Sequence, residues 1–309
     1  MEEWNWQVLS DIHLEFYDKH DKGKVHPSMF MDVGLAPNLA LCGDIGYPTR
    51  PAYRAFLDWC SNNYKTVFVV AGNHEYYTSK LAEPKSEREI DTEIDSICKR
   101  FPNVFFLQKR AVQLPEGRVL GCTLWSYIAP QNRLEAERYM NDYTLIPDWS
   151  VDLQRRRHLD HVQWLTSEID HSETHDEPTV ILTHHLPSYA LIHREYRTSH
   201  GNYNFASHLD HLIKPPLLGW FCGHTHKQME YCHNGVHVLT NPIGYPNENN
   251  LRNIRNKWVM FTQPKRTRPF PPDLPKTPAM KPSQNGKQPS PPSGAGSTGR
   301  KPSEDIDFI

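Results

Sequence analysis

Five short stretches of this 309-residue chain each place Asp, His or Asn directly after an apolar run. Asp11 and His13 follow Trp6-Gln7-Val8-Leu9, and Asp44 follows Leu39-Ala40-Leu41-Cys42-Gly43. Asn73 and His74 follow the run 66–71, His184 follows Thr179-Val180-Ile181-Leu182-Thr183, and His224 and His226 follow the run 217–222. Imidazole, carboxylate and amide donors with no thiolate among them suit borderline divalent cations such as Mn, Fe, Zn, Co or Ni. Asp11, His13, Asp44, Asn73, His184, His224 and His226 are more donors than one ion of about four to six ligands needs. Two ions sharing one carboxylate fit that number.

The elements that must position these side chains are readable from the same runs. Short β-rich runs bounded by turns predict buried strands, and α/β sheets bind ligands beyond the carboxyl ends of their strands. Asp-x-His and His-x-His spacing predicts two side chains on one side of an extended segment. Glycines before Asp44, Asn73 and His224 permit bends that a Cβ would hinder. Helical patterns cover 51–63, 86–100, 152–172 and 206–213, the third with Leu159, Val162, Leu165 and Ile169 at helical spacing. Further strands are predicted over 104–107, 111–114, 119–124, 228–232, 236–240 and 258–262. They suggest antiparallel hairpins, one turning at Asn234-Gly235. The resulting expectation is an α/β fold of two mixed β-sheets packed as a sandwich and flanked by helices.

Asp11-Ile12-His13, Gly43-Asp44, Gly72-Asn73-His74-Glu75, His184 and Gly223-His224-Thr225-His226 resemble, in order, the five blocks of the calcineurin-like metallophosphoesterases. The resemblance spans roughly residues 4–262. It is strongest to a bacterial and viral branch, through Leu9-Ser10-Asp11-Ile12-His13-Leu14-Glu15-Phe16, the segment 72–77 and Asn241-Pro242-Ile243-Gly244-Tyr245-Pro246. It implies one metal on Asp11, His13 and His226, another on Asn73, His184 and His224, and Asp44 as the bridge. It implies His74 as the catalytic non-ligand that protonates the leaving oxygen, and His184 rather than His185 as the ligand. The implied mechanism is in-line attack on phosphorus by a hydroxide bridging two cations. Two departures separate the chain from the protein serine/threonine phosphatases. Ala71 stands where they have a phosphate-gripping Arg, and Tyr47 where they have the Asp that orients the catalytic histidine. The second departure leaves His74 without its usual partner. Monoester and diester substrates, nucleotides among them, stay open, as does an inactive interaction scaffold on the same fold.

The near-balanced charge of −2 gives no reason to expect stable nucleic-acid or membrane binding. The six cysteines form no CxxC pair and mostly sit in apolar runs, as buried reduced thiols do. The first residues show no signal-peptide pattern and no stretch is apolar enough to span a membrane, so a cytoplasmic protein is expected. From 264 onward, eleven of 46 residues are Pro, which predicts a catalytic domain over 1–263 and a disordered Pro-rich tail over 264–309. Arg266-Thr267-Arg268-Pro269-Phe270-Pro271-Pro272 fits an SH3-type ligand, although such matches are frequent by chance in Pro-rich segments. His158 and His161 read as part of a solvated, charged helix face. Asn141-Asp142 and the aromatic segment after His184 are candidate rims of the substrate cleft.

Overall fold

The computed structural model describes residues 2–21, 26–78, 83–248 and 258–263. The predicted Pro-rich tail and its SH3-type motif lie outside the described residues. Two mixed sheets carry the fold. The first has five strands in the order β11-β1-β2-β3-β4 and the second six in the order β5-β6-β7-β8-β10-β9. The first comprises β1 (Glu2–Leu9), β2 (Asn38–Cys42), β3 (Thr66–Val70), β4 (Val104–Phe106) and β11 (Trp258–Gln263). The second comprises β5 (Arg110–Gln113), β6 (Arg118–Cys122), β7 (Thr179–Thr183), β8 (Leu217–Cys222), β9 (Met229–His233) and β10 (Val236–Thr240).

The central strands are apolar throughout because both faces are covered, and period-two alternation sends neighbouring residues to different cores. Trp4, Trp6, Val8, Ala40, Cys42, Phe68, Val70, Val180, Leu182 and Phe221 fill the space between the sheets. Leu39, Leu41, Val67 and Val69 face the other way, onto Tyr53, Phe56, Leu57 and Cys60 of α2 (Pro51–Asn63) and Ile90, Ile94 and Ile97 of α3 (Glu87–Cys98). On the far side Ile181, Trp220 and Cys222 pack against Leu165 and Ile169 of α6 (Val151–Thr174). Ser86 caps α3 through a capping box with Glu89, and Ser150 caps α6 through the Leu153 amide.

Two hairpins form as expected: β5 with β6, and β9 with β10 turning at Asn234 and Gly235, both at positive φ (51° and 82°). Trp4 and its neighbours pair antiparallel with β11. β4 joins β3 in parallel, so the chain crosses between sheets from β4 to β5. The helix expected over 206–213 is reduced to a 3₁₀ turn, Asp210–Leu212; Leu209, Leu212 and Ile213 are buried without α-helical geometry. His158 and His161 are also not solvated. His158 Nδ1 donates to the Trp125 carbonyl (2.6 Å), and His161 Nδ1 accepts the Leu124 amide (3.1 Å). Burial lowers both pKa values, that of His161 to about 3, so both are neutral struts under the 122–125 segment.

Candidate metal centre

β1, β2 and β3 run parallel, as do β6, β7, β8 and β10, so the ends that carry the candidate residues emerge on one edge of the sandwich. Backbone hydrogen bonds lace the emerging loops together. The Asp11 amide donates to the Gly43 carbonyl (3.0 Å), His13 to Asp44 (2.9 Å), Leu14 to Ile45 (3.0 Å) and Gly223 to His184 (2.9 Å). The extended geometry expected of Asp-x-His and His-x-His is absent. Asp11, His13, Asp44, His224 and His226 all have positive φ, between 49° and 74°. They lie past their strands in left-handed turns, and those turns aim the side chains inward. Asp and His tolerate this region better than most side chains, but non-glycine residues enter it rarely.

Two clusters result, both buried. The donor atoms of Asp11, His13 and His226 lie within 4.8 Å of one another, and so do those of Asp44, His184 and His224. Asp44 stands between them, with Oδ2 3.4 Å from His184 Nε2 and 3.9 Å from His13 Nε2. Asn73 joins the second cluster, its Oδ1 3.1 Å from His184 Nε2. All seven predicted donors are thus brought together.

Proton positions decide what these contacts mean. His13 Nδ1 faces the Glu15 carboxylate (3.1 Å) and His226 Nδ1 faces that of Glu248 (2.9 Å). A carboxylate only accepts, so both Nδ1 atoms carry hydrogen, which leaves Nε2 as the ring atom able to offer a lone pair to a cation. Those two Nε2 atoms are 3.0 Å apart and aimed at one spot. His184 Nδ1 likewise donates to the Cys42 carbonyl (2.9 Å). Asn73 Nδ2 donates to Asp142 Oδ1 (2.8 Å) and the Tyr77 hydroxyl (3.0 Å), which turns its oxygen toward His184. Each outer partner fixes a tautomer or an amide orientation that leaves an acceptor pointing inward, and a divalent cation satisfies such a set. Burial disfavours charge on His184, but Asp44 outweighs it and lifts the pKa to about 10. A proton and a cation compete for that lone pair. Asp44 itself, despite burial, is held well below the carboxylate range by His184, His74 and His13.

A third group, His13, Glu15 and His74, also lies within 4.8 Å. Its geometry is that of a hydrogen-bond chain. Glu15 Oε1 accepts from His13 Nδ1 and from His74 Nδ1 (2.9 Å). Burial alone would raise the Glu15 carboxyl, but the hydrogen bonds from His13 and His74 bring it down to about 2. Burial opposes charge on His74, and Asp44 followed by Glu15 overrides it, raising the pKa to about 9. The departure at Tyr47 therefore does not strand His74: Glu15, four residues beyond Asp11, supplies the carboxylate. Tyr47 is half-buried instead, with the Arg50 guanidinium 5.7 Å from its ring centre.

The parts played by several supporting residues were not apparent in the sequence. Glu75 accepts the amides of Gly72 (2.7 Å), Asp44 (3.0 Å) and Ile45 (2.8 Å), clamping the turn that presents Asp44. Asp142 is buried and orients Asn73, where a cleft rim was expected. Burial raises its pKa against the hydrogen bonds from Tyr77 and Asn73. Its position near Trp125 in sequence carried a hint, but nothing local revealed its partner. His185 belongs to neither donor cluster; its ring packs on Trp125 and His224 at centroid distances of 5.1 and 4.2 Å.

Comparison with known proteins accords with this geometry. Residues 8–228 match the family model described as calcineurin-like phosphoesterase. The chain belongs to the calcineurin-like phosphoesterase family. It is a phosphoesterase-type hydrolase, and the cofactors of this family are divalent metals. Over 261 residues this calcineurin-like phosphoesterase is 31% identical to uncharacterized protein L509 of Acanthamoeba polyphaga mimivirus, spanning 79% of this chain and 92% of that one. Among solved structures it is similar to phosphopantetheinyl hydrolase (PptH) from Mycobacterium tuberculosis. That similarity has a TM-score of 0.63 at 17% identity and covers 87% of this chain and 99% of the other. Two mixed sheets with flanking helices are thus a calcineurin-like fold. Among the described residues, no helix is long and apolar enough to cross a membrane.

Proposed function

We infer that this chain hydrolyses phosphate esters of small molecules or nucleotides at a centre holding two divalent cations. One would lie on Asp11, His13 and His226 and the other on Asn73, His184 and His224, with Asp44 between. The observation that carries this reading is the convergence of potential ligand atoms, above all the paired Nε2 atoms of His13 and His226 at 3.0 Å. Bound there, the cations supply charge for the phosphoryl oxygens and activate water as the nucleophile.

The chain's own residues do the rest. Asp44 keeps both halves of the site anionic. Asp142 and Tyr77 hold the Asn73 amide, and Glu15 and Glu248 hold the rings of His13 and His226. His74 is not part of either donor cluster. Its Nδ1 is tied to Glu15, which makes Nε2 the ring atom that protonates the leaving oxygen. Glu15 favours the doubly protonated ring, whose Nε2 hydrogen is the one the role needs.

Manganese is a suitable member of the set Mn, Fe, Zn, Co and Ni, because the carboxylate and amide oxygens suit it, while the imidazoles suit Zn, Fe and Ni. Five cysteines are buried free thiols and Cys232 is exposed, which suits a reducing, cytoplasmic setting. The catalytic unit is taken as residues 1–263, with 264–309 a passive tail. The test combines metal analysis with a panel of aryl phosphate, bis-aryl phosphate, cyclic nucleotides, dinucleoside polyphosphates and single-stranded nucleic acid, run with Mn. Two ions per chain and turnover of at least one ester are expected. Purified protein without stoichiometric metal and without turnover would make it a binding scaffold on this fold.

A further inference from the structure

Tyr245 closes over the metal centre from a loop outside all five candidate blocks. Its ring centre lies 4.5 Å from that of His13 and 4.5 Å from that of His226, with Phe16 packed edge-on at 5.2 Å. Its hydroxyl is 3.2 Å from His74 Nε2. The loop is fixed to the end of β1. The Ile243 amide donates to the Ser10 carbonyl (3.0 Å) and the Gly244 amide to the Asp11 carbonyl (2.9 Å), with Gly244 at φ 78°. The Tyr245 amide donates to Glu248 Oε2 (2.6 Å), the carboxylate oxygen that also holds His226. Although half-buried, Tyr245 is thus as firmly placed as the candidate ligands beside it.

A phenol carries one hydrogen and two lone pairs, so beside His74 Nε2 its hydroxyl can accept one hydrogen bond and still donate another. Its ring, packed on His13 and His226, places the phenol beside the first donor cluster. We propose that Tyr245 is a substrate-positioning residue whose hydroxyl, held by His74, donates a hydrogen bond to an oxygen of the bound phosphoryl group. This rests on the reading above that the centre binds phosphate esters. It extends that reading by giving the pair His74–Tyr245 a joint part in orienting the phosphoryl group. No proton need be transferred from the phenol for this role.

The test is Tyr245→Phe in the full-length, Mn-loaded protein, which keeps the ring packed on His13 and His226 while deleting only the hydroxyl. Inorganic phosphate binding is measured by titration calorimetry beside kcat and KM on an aryl phosphate, with metal content and Tm as controls. Metal content and Tm should match the unsubstituted protein, phosphate affinity should fall about 10-fold or more, and kcat/KM should fall by a similar factor, as for one hydrogen bond to a charged acceptor. Unchanged phosphate affinity, with metal retained, overturns the proposal. An unsubstituted protein that binds phosphate but hydrolyses nothing, with affinity still lost in Tyr245→Phe, upholds the positioning role while removing the hydrolytic reading. If Tyr245→Phe instead loses metal, the ring rather than the hydroxyl is what matters and the proposal fails.

Discussion

Replacing Glu15 by Gln isolates the carboxylate that joins the metal-facing histidine His13 to His74. Glutamine keeps the shape and an acceptor at the position of Oε1, but removes the charge. Hydrogen bonds to a charged acceptor contribute about 1.5–3 kcal/mol against about 0.5–1.5 for neutral ones, so each contact weakens by about 1 kcal/mol. The new amide nitrogen falls where Oε2 lies, a buried atom with no hydrogen-bond partner. An unsatisfied N–H₂ there costs about 1–3 kcal/mol more, giving a destabilisation of about 3–5 kcal/mol at neutral pH. The pH dependence has a definite sign. The Glu15 pKa falls from 4.5 to about 2 on folding, worth about 3 kcal/mol at 1.36 kcal/mol per pH unit. That stability is present above pH 4.5 and is lost as pH drops toward 2. Urea unfolding of both proteins from pH 7 to pH 3, with chelator throughout so that metal release does not intrude, should show a constant gap above pH 5 that narrows below it. In metal-loaded protein kcat should fall about 10- to 100-fold, as for other residues that orient a ligand from outside the coordination sphere. A gap that stays flat to pH 3, together with unimpaired kcat, would refute Glu15 as the partner of both histidines.

Asp44→Asn should release both metals and lower turnover at least about 100-fold, measured by metal analysis and steady-state kinetics, since its Oδ2 faces both His13 and His184. His74→Asn should keep metal content near normal while losing about 10²- to 10⁴-fold on esters with poor leaving groups and much less on nitrophenyl esters. His184→Asn should deplete one metal and impair all substrates alike, so equal loss across leaving groups in His74→Asn would argue against an acid role. Gly72→Ala should lower Tm and metal content together, costing about 1–3 kcal/mol, because a Cβ there would stand 2.1 Å from Asp44 Oδ1 and 2.7 Å from the Asp44 amide. Gly235→Ala, with nothing within 4 Å, is the control that should keep its metal. Deleting 264–309 should leave turnover and Tm unchanged; a large fall in Tm would move the domain boundary.

Much of this site was legible in the sequence because it sits at strand ends. A run such as Thr179–Leu182 declares its strand through β-branched and apolar composition, and the polar residue after it must lie at the sheet edge. Five such edges in family order sufficed to gather Asp11, Asp44, Asn73, His184 and His224. What was not legible depends on contacts between distant segments. Glu15 lies in a motif already noted, yet its role needs the knowledge that His74, 59 residues away, meets it beside His13. Asp142 meets Asn73 across 69 residues. The error over His158 and His161 had a different cause. Neighbouring arginines made the helix face read as polar, whereas Leu159 is the exposed residue and the two imidazoles turn inward. The 206–213 segment failed as a helix because burying Leu209, Leu212 and Ile213 there required only a single turn.

The left-handed turns show what the second layer of residues is for. Five of the seven candidate donors occupy positive φ, at a cost of about 1 kcal/mol each for side chains as tolerant as Asp and His. That sum is a sizeable part of a typical net stability of about 5–15 kcal/mol. The cross-loop hydrogen bonds from Asp11, His13, Leu14, Gly223 and Gly244, with the His224 amide on the Asp11 carboxylate at 2.9 Å, return about 1 kcal/mol each and roughly offset it. Glu75 adds three more bonds at the Asp44 turn. The strained turns and the lacing are therefore one device: a regular strand cannot aim donors from both sheets at one point, and turns bent enough to do so hold only because neighbouring loops bind them. Side chains such as Glu15, Glu75 and Asp142, which touch no predicted cation position, are for this reason as necessary to the centre as the donors they hold.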